Sequence, residues 1–239
     1  MAAVKAPALI VALDLPSRAE AEAMVHRLRL VTPWFKIGST LFTRAGPDAV
    51  RVVHGAGGYV FLDLKFHDIP QTVAGAIAAA AGLGVALVTV HCAAGPAALA
   101  AAAAARPSGS ALKLLGVTRL TSEGGRVGAS VVRAALTARD AGFDGVTASV
   151  RECARIKAAC GGGFRVLTPG IRPTGAAAHD QARVATPGQA VRVGADYLVV
   201  GRPIVAAPDP AAAAQAIWRE MTRAARGRQP AHAGATSAP

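Results

Sequence analysis

The 239 residues carry a formal charge of +12, from 26 Lys and Arg against 14 Asp and Glu, with 52% hydrophobic and only 4% aromatic residues. That length suits one large α/β domain or two small ones, with a core built from Ala, Val, Leu and Ile. The charge suggests an anionic partner, but the scattered arginines and scarce stacking rings argue against nucleic acid and favour a small polyanionic substrate.

The first stretch, "MAAVKAPALIVALDL", is apolar but interrupted by Asp14, with no small-residue cleavage pattern behind it. It predicts a strand over 8–15 and no signal peptide. "SRAEAEAMVHRL" follows with helical character, and Ser17 ahead of Glu20 fits a capping box. Further β-rich runs lie at 34–38, 59–65, 86–91, 112–117, 145–149, 164–170 and 196–201, with Ala-rich helical segments between them. These runs are almost continuously apolar, as expected of parallel strands covered on both faces. The cluster "GAGGYV" (55–60) precedes a strand, where a dinucleotide fingerprint would follow one, so it reads as a turn.

From 69 to 105 the chain has no formal charge, a length that could span a bilayer. Dominance of Ala and Gly, the "GLG" break at 82–84 and the β-rich "VALVTVH" make it a helix–strand–helix segment instead, with no membrane partner. Cys92, Cys153 and Cys160 lack metal-ligand spacing and read as packing residues of a cytoplasmic protein. After about residue 225, "RGRQPAHAGATSAP" predicts a disordered tail (226–239). Eight strands, each followed by a helical segment, predict a single-domain (β/α)8 TIM barrel over 1–225; a doubly wound sheet is the alternative.

In such a barrel, polar residues at strand C-termini face the catalytic end. Strand 1 ends at Asp14, strand 2 carries Lys36, and strand 3 ends with Asp63 and Lys65 in "FLDLKFHDIPQT" (61–72), with Asp68 just beyond. Strand 4 ends at His91, Thr118 and Thr121 follow strand 5, strand 7 leads to Arg172, and strand 8 ends in Gly201-Arg202. Asp63 and Lys65, two apart, point to the same side of a strand. With Lys36 they would form an alternating array of charges. A structural ion-pair network is the plain alternative, although buried pairs add little net stability over a hydrophobic replacement. A lysine between carboxylates suits a proton donor. Gly201 would let the backbone approach a ligand, and Arg202 could grip a phosphate bidentately. The polar, small-residue segment 170–184 reads as a lid or a solvated loop.

"DLKFHDIPQT" resembles the signature of the orotidine 5′-phosphate decarboxylase family, Asp-x-Lys-x-x-Asp followed by Ile-Pro-x-Thr. "VALD" at Asp14, "FKIG" at Lys36, "VTRLTS" around Thr121, "TPGIRP" at Arg172, "DQARV" at Gln181 and "VVGRPI" at Arg202 are similar to the family in order and spacing, over roughly 8–222. The resemblance implies conversion of orotidine 5′-phosphate to UMP and CO₂, the last step of de novo pyrimidine nucleotide synthesis, with no metal or organic cofactor. It implies that Lys65 stabilises the C6 carbanion and protonates it. Asp63 would lie by the substrate carboxylate, and Lys36 and Asp68 would complete a Lys–Asp–Lys–Asp chain. Asp14 and Lys36 would contact the ribose, and Thr121 the pyrimidine. Arg202, Gln181 and the Gly201 amide would hold the phosphate, with Arg172 at the base of the lid. Asp68 and Thr72 would enter the site from a second subunit of a homodimer. His67 and His91 read as structural. The rivals are a Mg²⁺-dependent sugar-phosphate decarboxylase of the same fold, which shares Asp-x-Lys-x-x-Asp, and a noncatalytic basic binding protein.

Overall fold

A computed structural model describes residues 7–119, 128–173 and 185–227. Eight parallel strands close into a barrel in sequence order, β1 (Ala8–Ala12), β2 (Trp34–Gly38), β3 (Tyr59–Phe66), β4 (Leu87–His91), β5 (Lys113–Val117), β6 (Gly145–Thr147), β7 (Arg165–Thr168) and β8 (Tyr197–Val200). Every predicted strand is present: β2 has the expected bounds, β3 runs one residue longer, and the other six are shorter at one or both ends. β1 pairs with β8, Ala8 opposite Tyr197, and this closes the sheet.

Strand alternation divides the apolar residues into two cores. Leu9, Val11, Phe35, Ile37, Val60, Leu62, Val88, Val90, Leu198 and Val200 face the surrounding helices. Ile10, Ala12, Phe61, Leu87, Leu115, Leu167 and Val199 pack inside the barrel, with Trp34 and Tyr197 against them. The barrel is therefore filled below its mouth, and Trp34 stacks on Tyr59 with ring centroids 4.8 Å apart at the strand N-termini. Burial there pushes the Tyr197 phenol above its ordinary pKa.

The helices start where the sequence supplies a cap or a proline. α1 (Arg18–Leu28) begins at Ser17, whose Oγ accepts from the Glu20 amide at 3.2 Å. The expected capping box forms only in this half: Glu20 Oε1 takes the Ser17 hydroxyl (3.2 Å) and does not reach back to the backbone. α2 (Ser39–Ala45) follows β2 directly. Pro opens α3 (Pro47–Gly55), α4 (Pro70–Gly82) and α5 (Pro96–Ala105), where its missing N–H costs no hydrogen bond. After α6 (Gly128–Asp140) and α7 (Val150–Cys160), Pro again opens α8 (Pro187–Arg192), behind a complete Thr186/Gln189 capping box. A short α9 (Arg202–Val205) and a long α10 (Pro210–Arg226) end the described chain. The uncharged stretch forms α4, β4 and α5, and no helix among the described residues is long and apolar enough to cross a membrane.

Candidate active site

Inward positions near the strand C-termini are polar where those lower down are apolar. Lys36 follows Trp34 on β2, and Asp63 follows Phe61 on β3. Their cavity, about 510 Å³, has Ala12, Phe61, Leu167 and Val199 of the inner core as its floor. β1–β3 contribute Asp14, Lys36, Asp63 and Lys65, and the ends of β7 and β8 contribute Gly170, Arg172, Gly201 and Arg202.

The four charges on β1–β3 form one continuous chain. Lys36 Nζ lies 3.0 Å from Asp14 Oδ1 and 3.7 Å from Asp63 Oδ2, and Lys65 Nζ lies 2.8 Å from the same Asp63 oxygen. The Lys36 and Asp63 side chains at its centre are each 11% exposed, whereas Asp14 at one end is 57% and Lys65 at the other 38%, so a dry pair links two ends open to the cavity. Gly38 makes room for it. A Cβ there would stand 2.8 Å from Lys36 Nζ and 2.9 Å from Asp14 Oδ1.

Simple strand alternation does not account for Lys65. The β3–β4 register shifts between Leu62 and Phe66, and Lys65 takes φ 52°, the only non-glycine positive φ among the described residues. This conformation costs a residue with a Cβ about 1–2 kcal/mol. Thr89 of β4, fully buried, sits against the break: its Oγ1 accepts from the Lys65 amide (3.0 Å) and donates to Asp63 Oδ1 (3.0 Å). Asp63 and Lys65 meet as expected, but through a bulge and not a regular pleat.

Arg172 is 6% exposed, its NH1 donating to the Ile171 carbonyl at 3.3 Å. Ile171 bridges Ala185, and the Arg172 amide donates to the Ala185 carbonyl (2.9 Å), so the chain before residue 174 and the chain after residue 184 are joined here. Thr121 and Gln181 lie outside the described residues. Asp68 and Thr72 do not line the cavity of their own chain: both are exposed, and Asp68 Oδ1 accepts from the Ile69 amide at 2.7 Å.

Thr89 and Thr147 were not singled out from the sequence. Thr147 lines the cavity from the end of β6, is 7% exposed, and its carbonyl accepts the Thr118 hydroxyl at 2.9 Å. The available signal was parity, since both threonines occupy inward positions on strands whose outward residues are Val. His67 stacks on His91 at 5.0 Å between ring centroids, and neither lines the cavity. Among the described residues no three His, Cys, Asp or Glu side chains are grouped to hold a metal ion.

Residues 7–217 match the family model described as "Orotidine 5'-phosphate decarboxylase / HUMPS family". The orotidine 5′-phosphate decarboxylase of Moorella thermoacetica is 52% identical over 230 residues, covering 89% of this chain and 91% of that protein. That of Syntrophotalea carbinolica is 50% identical over 232 residues, with 90% and 95% covered. The crystal structure of orotidine 5′-phosphate decarboxylase from Lactobacillus acidophilus superposes with a TM-score of 0.78 at 36% identity, covering 90% of this chain and 99% of that one. With the barrel, the charged chain at its mouth and these likenesses in agreement, the protein belongs to the orotidine 5′-phosphate decarboxylase / HUMPS family.

Proposed function

We propose that the protein decarboxylates orotidine 5′-phosphate to UMP and CO₂ in the cytoplasm, as the last step of de novo pyrimidine nucleotide synthesis, with residues 1–225 as one catalytic domain. The observation that carries this reading is the unbroken Asp14–Lys36–Asp63–Lys65 chain opening into a cavity of about 510 Å³. The C6–carboxylate bond breaks and its electron pair stays in the ring plane at C6, where the π system cannot delocalise it. A fixed ammonium group beside that carbon lowers the energy of the developing charge without reorganising. Lys65 then passes a proton to C6 and recovers one from solvent. Asp63 holds the Lys65 ammonium in place through Oδ2 and lies by the departing carboxylate. Lys36 shares Asp63 and, with Asp14, meets the ribose hydroxyls.

Arg202, the Gly201 amide and Gln181 receive the phosphate, Arg172 anchors the segment that covers it, and Thr121 meets the pyrimidine. Two arginines at one rim suit a doubly charged group. The direct test adds orotidine 5′-phosphate to the purified protein with EDTA present and follows the loss of its ultraviolet absorbance. Turnover is expected to resist EDTA. A strict requirement for Mg²⁺ would move the protein to the sugar-phosphate branch.

The homodimer belongs to the same proposal. Asp68 lies on the exposed bend before α4 and Thr72 in the first turn of that helix, beside Ile69, 65% exposed, and an isologous dimer can lay this corner over the partner's cavity. Lys65→Ala and Asp68→Ala, each inactive alone, should then complement when coexpressed. A mixed dimer collects both lesions in one site and none in the other, so random pairing restores about a quarter of wild-type activity. Mixed dimers as inactive as their parents would place both residues within one subunit's site.

A further inference from the structure

We infer that Thr89 is a positioning residue of the reaction, its single hydroxyl holding both the acid and the carboxylate in register. The inference rests on the reading of Lys65 as proton donor. Thr89 Oγ1 has one hydrogen to give. Because an ionised carboxylate can only accept, that hydrogen points to Asp63 Oδ1 (3.0 Å), and a lone pair is left for the Lys65 amide (3.0 Å). The direction of both bonds is thus determined, at a site with no exposed surface.

Two consequences follow for the charged chain. Tying down Oδ1 turns Oδ2 towards the two ammonium groups, 2.8 Å from Lys65 and 3.7 Å from Lys36. Accepting the Lys65 amide supplies a partner where the β3–β4 ladder breaks, and so supports the left-handed backbone that delivers Nζ to the cavity. Thr89 itself does not line that cavity. Losing the hydroxyl should therefore leave nucleotide affinity alone and slow the chemical step.

The test compares Thr89→Val, which keeps the shape and removes the hydroxyl, with Thr89→Ser, which keeps the hydroxyl. Thr89→Val is expected to lower kcat at least about tenfold, with KM and inhibition by UMP within about twofold of wild type. Thr89→Ser is expected to recover most of the lost rate. If Thr89→Val does not fold, as judged by circular dichroism and thermal melting, Thr89→Ala takes its place. A hydroxyl-free variant with wild-type kcat, or a serine variant as slow as the valine one, would overturn the inference. Lys65→Ala in the same assay separates the two layers. Activity in Lys65→Ala would defeat the reading of Lys65, whereas an inactive Lys65→Ala beside a fully active Thr89→Val would defeat only the role of Thr89.

Discussion

At the N-terminal end of the strands, Asp196 accepts from Lys157 Nζ (2.6 Å), Arg165 NH1 (2.9 Å) and the Val166 amide (2.8 Å). Asp144 likewise takes Arg106 NH1 (2.6 Å) and the Leu114 amide (2.9 Å). At the opposite end, Asp63 is also surrounded by two lysines and a hydroxyl, and its cluster faces the cavity of about 510 Å³ at the barrel mouth. The side chains are of the same kinds. The difference lies in what they are bonded to: Asp144 and Asp196, just ahead of β6 and β8, bind backbone amides of the preceding strand and so fasten the barrel, whereas Asp63 binds side chains and so aims them. Donating to the Asp196 carboxylate raises the Arg165 pKa further, which keeps that fastening charged.

Lys65→Ala should separate the two ends most sharply. On the proposed mechanism it should reduce kcat by at least about 10³-fold, the proposed proton donor and carbanion-stabilising charge being lost together, while the melting temperature stays near wild type. Loss of fold in parallel with activity would make Lys65 a structural member like Asp196. Asp196→Ala should do the reverse. It leaves Lys157 and the Val166 amide without this acceptor and should cost about 2–3 kcal/mol in denaturant unfolding, with KM unchanged for the protein that remains folded.

Arg202→Ala should lower kcat/KM by about 10- to 150-fold, the equivalent of one charge-assisted contact of about 1.5–3 kcal/mol. The loss should shrink for a substrate lacking the phosphate. Equal losses for both substrates would place Arg202 outside the phosphate site. The smallest effect concerns Cys92, whose thiol is pushed by burial from 9.0 to about 12. Between those values the unfolded chain releases a proton that the folded chain retains, so stability falls as pH rises. Cys92→Ala should flatten that fall in unfolding curves at high pH. An unchanged slope would mean that Cys92 titrates alike in both states.

Much of the barrel was legible because parallel buried strands are written as short apolar runs, and Pro and Ser mark where helices start. Asp14, Lys36, Asp63, Arg172 and Arg202 could be placed because charge at a strand end is rare enough to notice, and Gly201 because it adjoins one of them. Thr89 and Thr147 were hidden by ordinariness. Threonine is a common strand residue, and its hydroxyl gains meaning only when the neighbouring strand's register is known. The left-handed Lys65 was equally unreadable, since that conformation is supported from another strand. Asp68 does not line the cavity of its own chain, and only in the proposed dimer would it meet one.

The pairing of β1 with β8 has a consequence for the enzyme's synthesis. Asp14 follows the first strand and Arg202 the last, yet both line one cavity. A chain emerging from the ribosome holds β1 with one edge unpaired until β8 has been made, so the Asp14 and Arg202 sides of the cavity come together only at closure. The nascent barrel is catalytically silent until then. A ligand held by both sides of that seam would act as a clasp, favouring the closed form over any partly assembled one.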